Sequence, residues 1–136
     1  MQLSAYLSFD GQCEEAFRFY EKCLGGKIAM TMTYGESPMA GAVPAEWHKK
    51  ILHVTLLVGN YRLMGADAWP EHYKKPQGFS VTIGVGEPAE VERIFQELAE
   101  NGQILMPLEK TFWSERFGML IDRFGTPWMI NCEQPG

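Results

Sequence analysis

Basic residues are in the minority in this sequence. There are 12 Lys and Arg against 17 Asp and Glu, a formal net charge of −5. The pI is near 5.2. The basic side chains are scattered, with Lys49-Lys50 and Lys74-Lys75 the only doublets. Such a chain offers no electropositive stripe to nucleic acid or to an anionic membrane surface. Cysteine is sparse as well. Cys13, Cys23 and Cys132 are odd in number and lack metal-ligand spacing, so they read as reduced thiols of a cytoplasmic protein. No apolar run approaches the ~18 residues of a membrane span. The N-terminus lacks the basic-then-apolar pattern of a secretory signal. No glycine-rich phosphate loop follows an apparent strand, no Ser, His, Asp order stands out, and no Gly-x-Gly-x-x-Gly fingerprint occurs. Nucleotide chemistry and serine hydrolysis therefore have no foothold.

Apolar material is plentiful by contrast. Hydrophobic residues make up 46% and aromatic residues 12% of 136 positions. That suffices for a packed interior in one compact domain, or in two half-size modules sharing a core. The chain also repeats itself. Leu3 to Phe9 alternates, a helical pattern follows (Ala16, Phe19, Tyr20, Cys23, Leu24), and then come Gly26 and Ile28. Later, Phe79 to Val85 alternates, Val91, Ile94, Phe95 and Leu98 follow, and then Gly102 and Ile104. Phe19, Gly26 and Ile28 map onto Phe95, Gly102 and Ile104 by one common offset. A period this long repeats a whole module, and pockets form at the seams of fused modules.

The spacing predicts a strand over Leu3 to Phe9, a helix over 12–24 ended by Gly25-Gly26, and a strand through Ile28, Met30 and Met32. Residues 35–48 read as a long loop, Trp47 and His48 closing it. Ile51 to Val58 and Tyr61 to Ala66 flank a Gly59-Asn60 turn. The second half predicts strand Phe79 to Val85, helix 88–100, strand 103–106, a loop from Pro107 to Ser114, and strands Phe117 to Asp122 and Trp128 to Cys132. The expected organisation is a βαβββ module over 1–68, a linker over 69–78, and a second βαβββ module over 79–136, an α+β fold. One helix covers one face of each sheet; the other needs a second module, a partner chain or a ligand.

Several stretches carry a family likeness: Cys13-Glu-Glu-Ala16 with Phe19-Tyr20, Gly25-Gly26, Leu52-His53-Val54, Leu63-Met64 with Asp67, Thr111-Phe-Trp113, and Asp122-Arg-Phe-Gly125 with Trp128. On these the chain resembles the vicinal oxygen chelate superfamily of glyoxalase, bleomycin-resistance and extradiol dioxygenase proteins, and within it the PhnB-like branch. The resemblance implies paired βαβββ modules forming a curved, cupped mixed sheet, a homodimer, and a small-molecule cleft inside the sheet. It also implies a divalent metal held by one side chain on the first and last strands of each module. Those positions fall at Ala5 or Ser4, near Leu63 or Met64 with Asp67 further along, at Ser80 and at Met129. Thioethers and hydroxyls are poor substitutes for imidazoles and carboxylates, so no standard metal site and no cofactor are expected. Some relatives carry a methyltransferase label, which nothing in these residues supports.

Two readings of function follow. The first is a metal-independent binding protein with a cleft lined by Phe9, Met64, Trp113 and Met129, with Arg116 available to an anionic ligand. The second is an enzyme with a non-standard metal site or with His53 as general base. Hairpin register governs the second: a two-residue turn sets His53 opposite Ala66, and a three-residue turn sets it opposite Asp67. Only the latter lets a carboxylate orient the imidazole. The expected partners are a small molecule and a second copy of the chain, not nucleic acid or membrane.

Overall fold

The computed structural model describes residues 1–133. The chain divides into two compact units, Met1–Lys74 and a second beginning at Lys75.

In the first unit, β1 (Ala5–Phe9) leads into α1 (Cys13–Leu24), followed by β2 (Lys27–Thr33), β3 (Ile51–Val58) and β4 (Tyr61–Asp67). The sheet order is β1-β4-β3-β2. β1 runs parallel to β4, and the other neighbours are antiparallel. Helix α1 forms because Cys13, Ala16, Phe17, Tyr20 and Cys23 make one buried stripe, with Glu14 and Glu15 at its positive end. It stops at Gly25, whose φ of 70° is left-handed. The next residue, Gly26, lies so close to β3 that a Cβ would collide with the Leu57 carbonyl and the Val58 side chain. On the helix side of the sheet, Leu7 and Phe9 of β1 and Val54 and Leu56 of β3 complete the core.

The second unit repeats the plan with β5 (Val81–Val85), α2 (Pro88–Ala99), β6 (Gln103–Glu109), β7 (Phe117–Ile121) and β8 (Pro127–Cys132). Its order is β5-β8-β7-β6. Val91, Ile94, Phe95 and Leu98 of α2 are buried, as are Leu120, Trp128, Ile130 and Cys132 of the sheet. Gly102 has the role of Gly26: a Cβ there would collide with the Ile121 carbonyl. The repeated glycines therefore mark where each helix exit crosses its sheet. The match is looser at Phe19, because the fully buried rings of α1 are Phe17 and Tyr20.

The fold is α+β, two tandem four-stranded mixed sheets each with one helix. Some boundaries shift. The first strands of the two modules start at Ala5 and Val81, not at Leu3 and Phe79. β6 continues through Pro107 to Glu109, where a loop was expected. Proline is tolerated because β6 is the outermost strand of its sheet. Here Ile104, Leu105 and Met106 are exposed. The 35–48 segment is wound into short 3-10 turns at Ala40–Ala42 and Ala45–Trp47. It is pinned by an aromatic triangle, with Trp47 and Trp69 4.7 Å apart and Tyr34 edge-on to Trp47 at 5.7 Å.

The Asp122-Arg-Phe-Gly125 stretch is a side-chain-locked turn. Asp122 Oδ1 accepts from the Phe124 and Thr126 amides at 2.8 and 3.0 Å, and Oδ2 accepts from the Trp128 indole at 2.8 Å.

Candidate ligand-binding faces

Strand alternation gives each sheet a second face, turned away from its helix. On the first sheet the register lines up Tyr6, Met64, Thr55 and Met30 in one row across β1, β4, β3 and β2. On the second, Thr82, Met129, Met119 and Met106 form the corresponding row across β5, β8, β7 and β6. Thioethers fill two of the four positions in the first row and three of the four in the second.

The β3–β4 hairpin closes through the two-residue turn: Val58 pairs with Tyr61, Leu56 with Leu63 and Val54 with Gly65. His53 therefore belongs opposite Ala66, and the Asp67 arrangement does not form. The His53 ring is engaged by hydroxyls instead. Tyr6 Oη lies 3.1 Å from Nδ1, and Thr55 Oγ1 lies 3.0 Å from Nε2. The Tyr6 and His53 rings are 5.6 Å apart. Tyr6 thus bridges from β1 to β3 over β4. Burial chiefly, then the Cys13 and Tyr34 groups, raise the Tyr6 pKa.

Asp67 faces the other way, into the helix side. Its Oδ1 accepts from the Cys13 amide at 3.0 Å and its Oδ2 from the Ile51 amide at 2.8 Å. It supplies the cap that Gln12, with no side-chain capping bond, does not. Burial raises its pKa, opposed by the Ile51, Cys13 and Gly11 amides and by Lys50.

The other expected site residues scatter. Phe9 is 2% exposed and packs against Phe17 and Tyr20, so it belongs to the helix-side core and not to the open face. Met64 and Met129 occupy the open-face rows just described. Trp113, 51% exposed, sits edge-on to Phe117 at 5.3 Å. Arg116 pairs with Glu92 of α2 at 3.3 Å. Beside Phe117 in the register, Asn131 carries a buried side-chain oxygen with no hydrogen-bond partner among the described residues. Tyr6 and Asn131 were not singled out from the sequence. The period of two was the available signal for Tyr6: it sets Tyr6 and Ser8 opposite to the apolar pair Leu7 and Phe9. A cavity of about 250 Å³ in the first unit lies on the helix side, between Phe17, Arg18, Ile28 and Val54, away from His53 and Met64.

The family's divalent metal finds a poor donor set here. Of the positions the resemblance gave, Met64 and Met129 lie in the open-face rows, but Ala5 pairs with buried Leu63 and so faces the helix side, and Ser4 and Ser80 precede their strands; the row positions on the first strands are Tyr6 and Thr82 instead. A phenol, a hydroxyl and two thioethers do not match the imidazole and carboxylate ligands of such sites. Among the described residues, no three His, Cys, Asp or Glu side chains are grouped as a metal would require.

A family model described as the Glyoxalase/Bleomycin resistance protein/Dioxygenase superfamily matches residues 2–130. This chain belongs to that superfamily. Within it, the chain is 34% identical over 145 aligned positions to protein YjdN of Escherichia coli (strain K12), covering 99% of both. Among solved structures, protein PA1353 from Pseudomonas aeruginosa is 45% identical with a TM-score of 0.90, again over 99% of both chains. A Bacillus cereus PhnB protein, described as a putative 3-demethylubiquinone-9 3-methyltransferase, is 26% identical with a TM-score of 0.81, over 96% of this chain and 98% of that one. The fosfomycin resistance protein FosX from Listeria monocytogenes shares the fold alone, at 6% identity and a TM-score of 0.69. No helix among the described residues is long and apolar enough to cross a membrane.

Proposed function

We propose that this superfamily member is a PhnB-like protein that binds a small molecule against the open faces of its sheets without the family's usual metal, as a cytoplasmic homodimer. The observation that carries this reading is the makeup of the two central rows. Where metal-dependent relatives need hard donors, this chain presents adaptable thioethers, a phenol and a hydroxyl, which suit an apolar ligand body. In this reading Met64 is the ligand contact on the first sheet, and Met129 with Trp113 the contacts on the second unit. The enzyme alternative is weaker. Both His53 nitrogens are taken by hydroxyls, and Asp67 is committed to two backbone amides, so the pair does not form a base and its orienter. Methyl transfer, named for the Bacillus relative, gains no support from these faces.

Elemental analysis of the purified protein tests the metal half of the proposal, and a thermal-shift screen of metabolites, aldehydes and antibiotics tests the binding half. Nickel, zinc, iron and manganese should be well below one equivalent, and a true ligand should raise the melting temperature with its concentration, with or without added metal. A full metal equivalent that ligand stabilisation requires would overturn the proposal. Light scattering should give twice the 15.4 kDa chain mass.

A further inference from the structure

The open face of the first sheet is charged in one sense only. Lys27, Leu57 and Arg62 share a row, adjacent to the row of Tyr6 and Met64. None of the side chains that the four strands place on this face is acidic, although the chain has 17 Asp and Glu. Lys27 and Arg62 are exposed. Among the described residues, the ion pairs are formed by other cations: Arg18, Arg93, Arg116 and Arg123. Arg62 is two residues from Met64 on β4, and Met64 is the partner of Tyr6, so Arg62 and Tyr6 stand in adjacent rows of the same face.

The hydrogen-bond chain beside it has a free end. Both His53 nitrogens are engaged, and Tyr6, 50% exposed, is the member that faces outward. Its phenol is protonated at neutral pH, as tyrosines ordinarily are. If Thr55 donates to Nε2 and Nδ1–H donates to Tyr6, the Tyr6 proton is left for a ligand, and each bond polarises the next.

We infer that this face receives the anionic head of the ligand, a carboxylate or a phosphonate or phosphate group, with Arg62 pairing to it, Tyr6 donating to it, and Met64 and Met30 carrying the apolar body. This rests on the open-face reading above and names its ligand class. Guanidinium suits both head groups because its forked donors match two oxygens at once.

The test is residue-resolved NMR on the isotope-labelled full chain with four probes of similar size: phenylphosphonate, phenylacetate, benzyl alcohol and benzylamine. The two anions should bind about tenfold more tightly than the alcohol, the scale of one charge-assisted contact. They should shift Tyr6, Arg62 and Met64 and lose that advantage at high salt. Arg62→Gln, at an exposed site where folding is retained, should erase the advantage and leave alcohol affinity intact. Tyr6→Phe should weaken the anions alone and change the ¹⁵N shifts of His53, which in the native chain should report the Nδ1–H tautomer. Equal affinity for the alcohol, preference for the amine, or an anion advantage that survives Arg62→Gln would overturn the inference while leaving open-face binding in place. If no probe moves any signal on either sheet's open face at millimolar concentration, open-face binding falls too.

Discussion

Replacing Asp67 isolates its structural duty from any role toward a ligand. Its carboxylate, 1% exposed, ties the first turn of α1 to the start of β3 through the Cys13 and Ile51 amides. Asp67→Ala orphans both. Each buried unsatisfied donor costs about 1–3 kcal/mol, so the variant should lose roughly 2–6 kcal/mol. That is a large share of the roughly 5–15 kcal/mol that typical domains possess. Asp67→Asn keeps one acceptor oxygen and turns an NH₂ toward the other amide, for an expected loss of roughly 1–3 kcal/mol. Urea titration followed by circular dichroism measures both. The pH dependence has a definite sign. The native carboxyl is raised above its ordinary value of 3.8, so in the window above that value the folded state binds the proton more tightly than the unfolded chain. Stability from this group therefore falls as pH rises through the window, and the slope should vanish in Asp67→Asn. A loss below about 1 kcal/mol for Asp67→Ala, or unchanged stability with loss of ligand binding, would refute the capping argument.

Three further outcomes are expected. Asp122→Ala, which removes three hydrogen bonds from the turn before β8, should cost about 3 kcal/mol by denaturant titration, and Asp122→Asn clearly less; equal costs would show that the indole contact dominates. Asn131→Leu removes the amide oxygen that has no partner among the described residues and should leave stability unchanged or raise it by about 1 kcal/mol, whereas a loss would mean that the amide is satisfied. Cys13, Cys23 and Cys132 are at most 3% exposed, and burial, with Asp67 and Glu14 nearby, pushes the Cys13 thiol far up. Native protein should thus resist a disulfide-exchange reagent that labels all three thiols after unfolding, and rapid labelling of the folded chain would contradict this packing.

Much of the fold was legible because its signals are local. The helix stripes, the acidic first turn of α1 and the glycines after each helix are read within a dozen residues of one another. Gly26 and Gly102 announced themselves by recurring, although what they avoid, a carbonyl of the crossing strand, is visible only in three dimensions. The hairpin register was open between two turns, and Gly59-Asn60 resolved to the shorter one, which separated His53 from Asp67. The site was less legible. Phe9 looked like a cleft wall, yet its alternation with Ser8 already grouped it with Leu7 against the helix. Asp67 gave no hint of its duty, because its partners are backbone amides far away in sequence. Tyr6 acquires meaning only from His53, two strands away across β4, and Arg116 is drawn to Glu92, 24 positions earlier on α2, by a pairing that no local pattern announces.

Pro107 has a consequence beyond the local shape of β6. The strand forms the outer margin of its sheet and exposes Ile104, Leu105 and Met106, a stretch suited to templating foreign β-structure. A proline immediately after these residues lacks a ladder donor and sits at a register irregularity, which interrupts the run an incoming chain could follow. The margin thereby keeps its greasy surface while carrying a built-in safeguard against fibril growth.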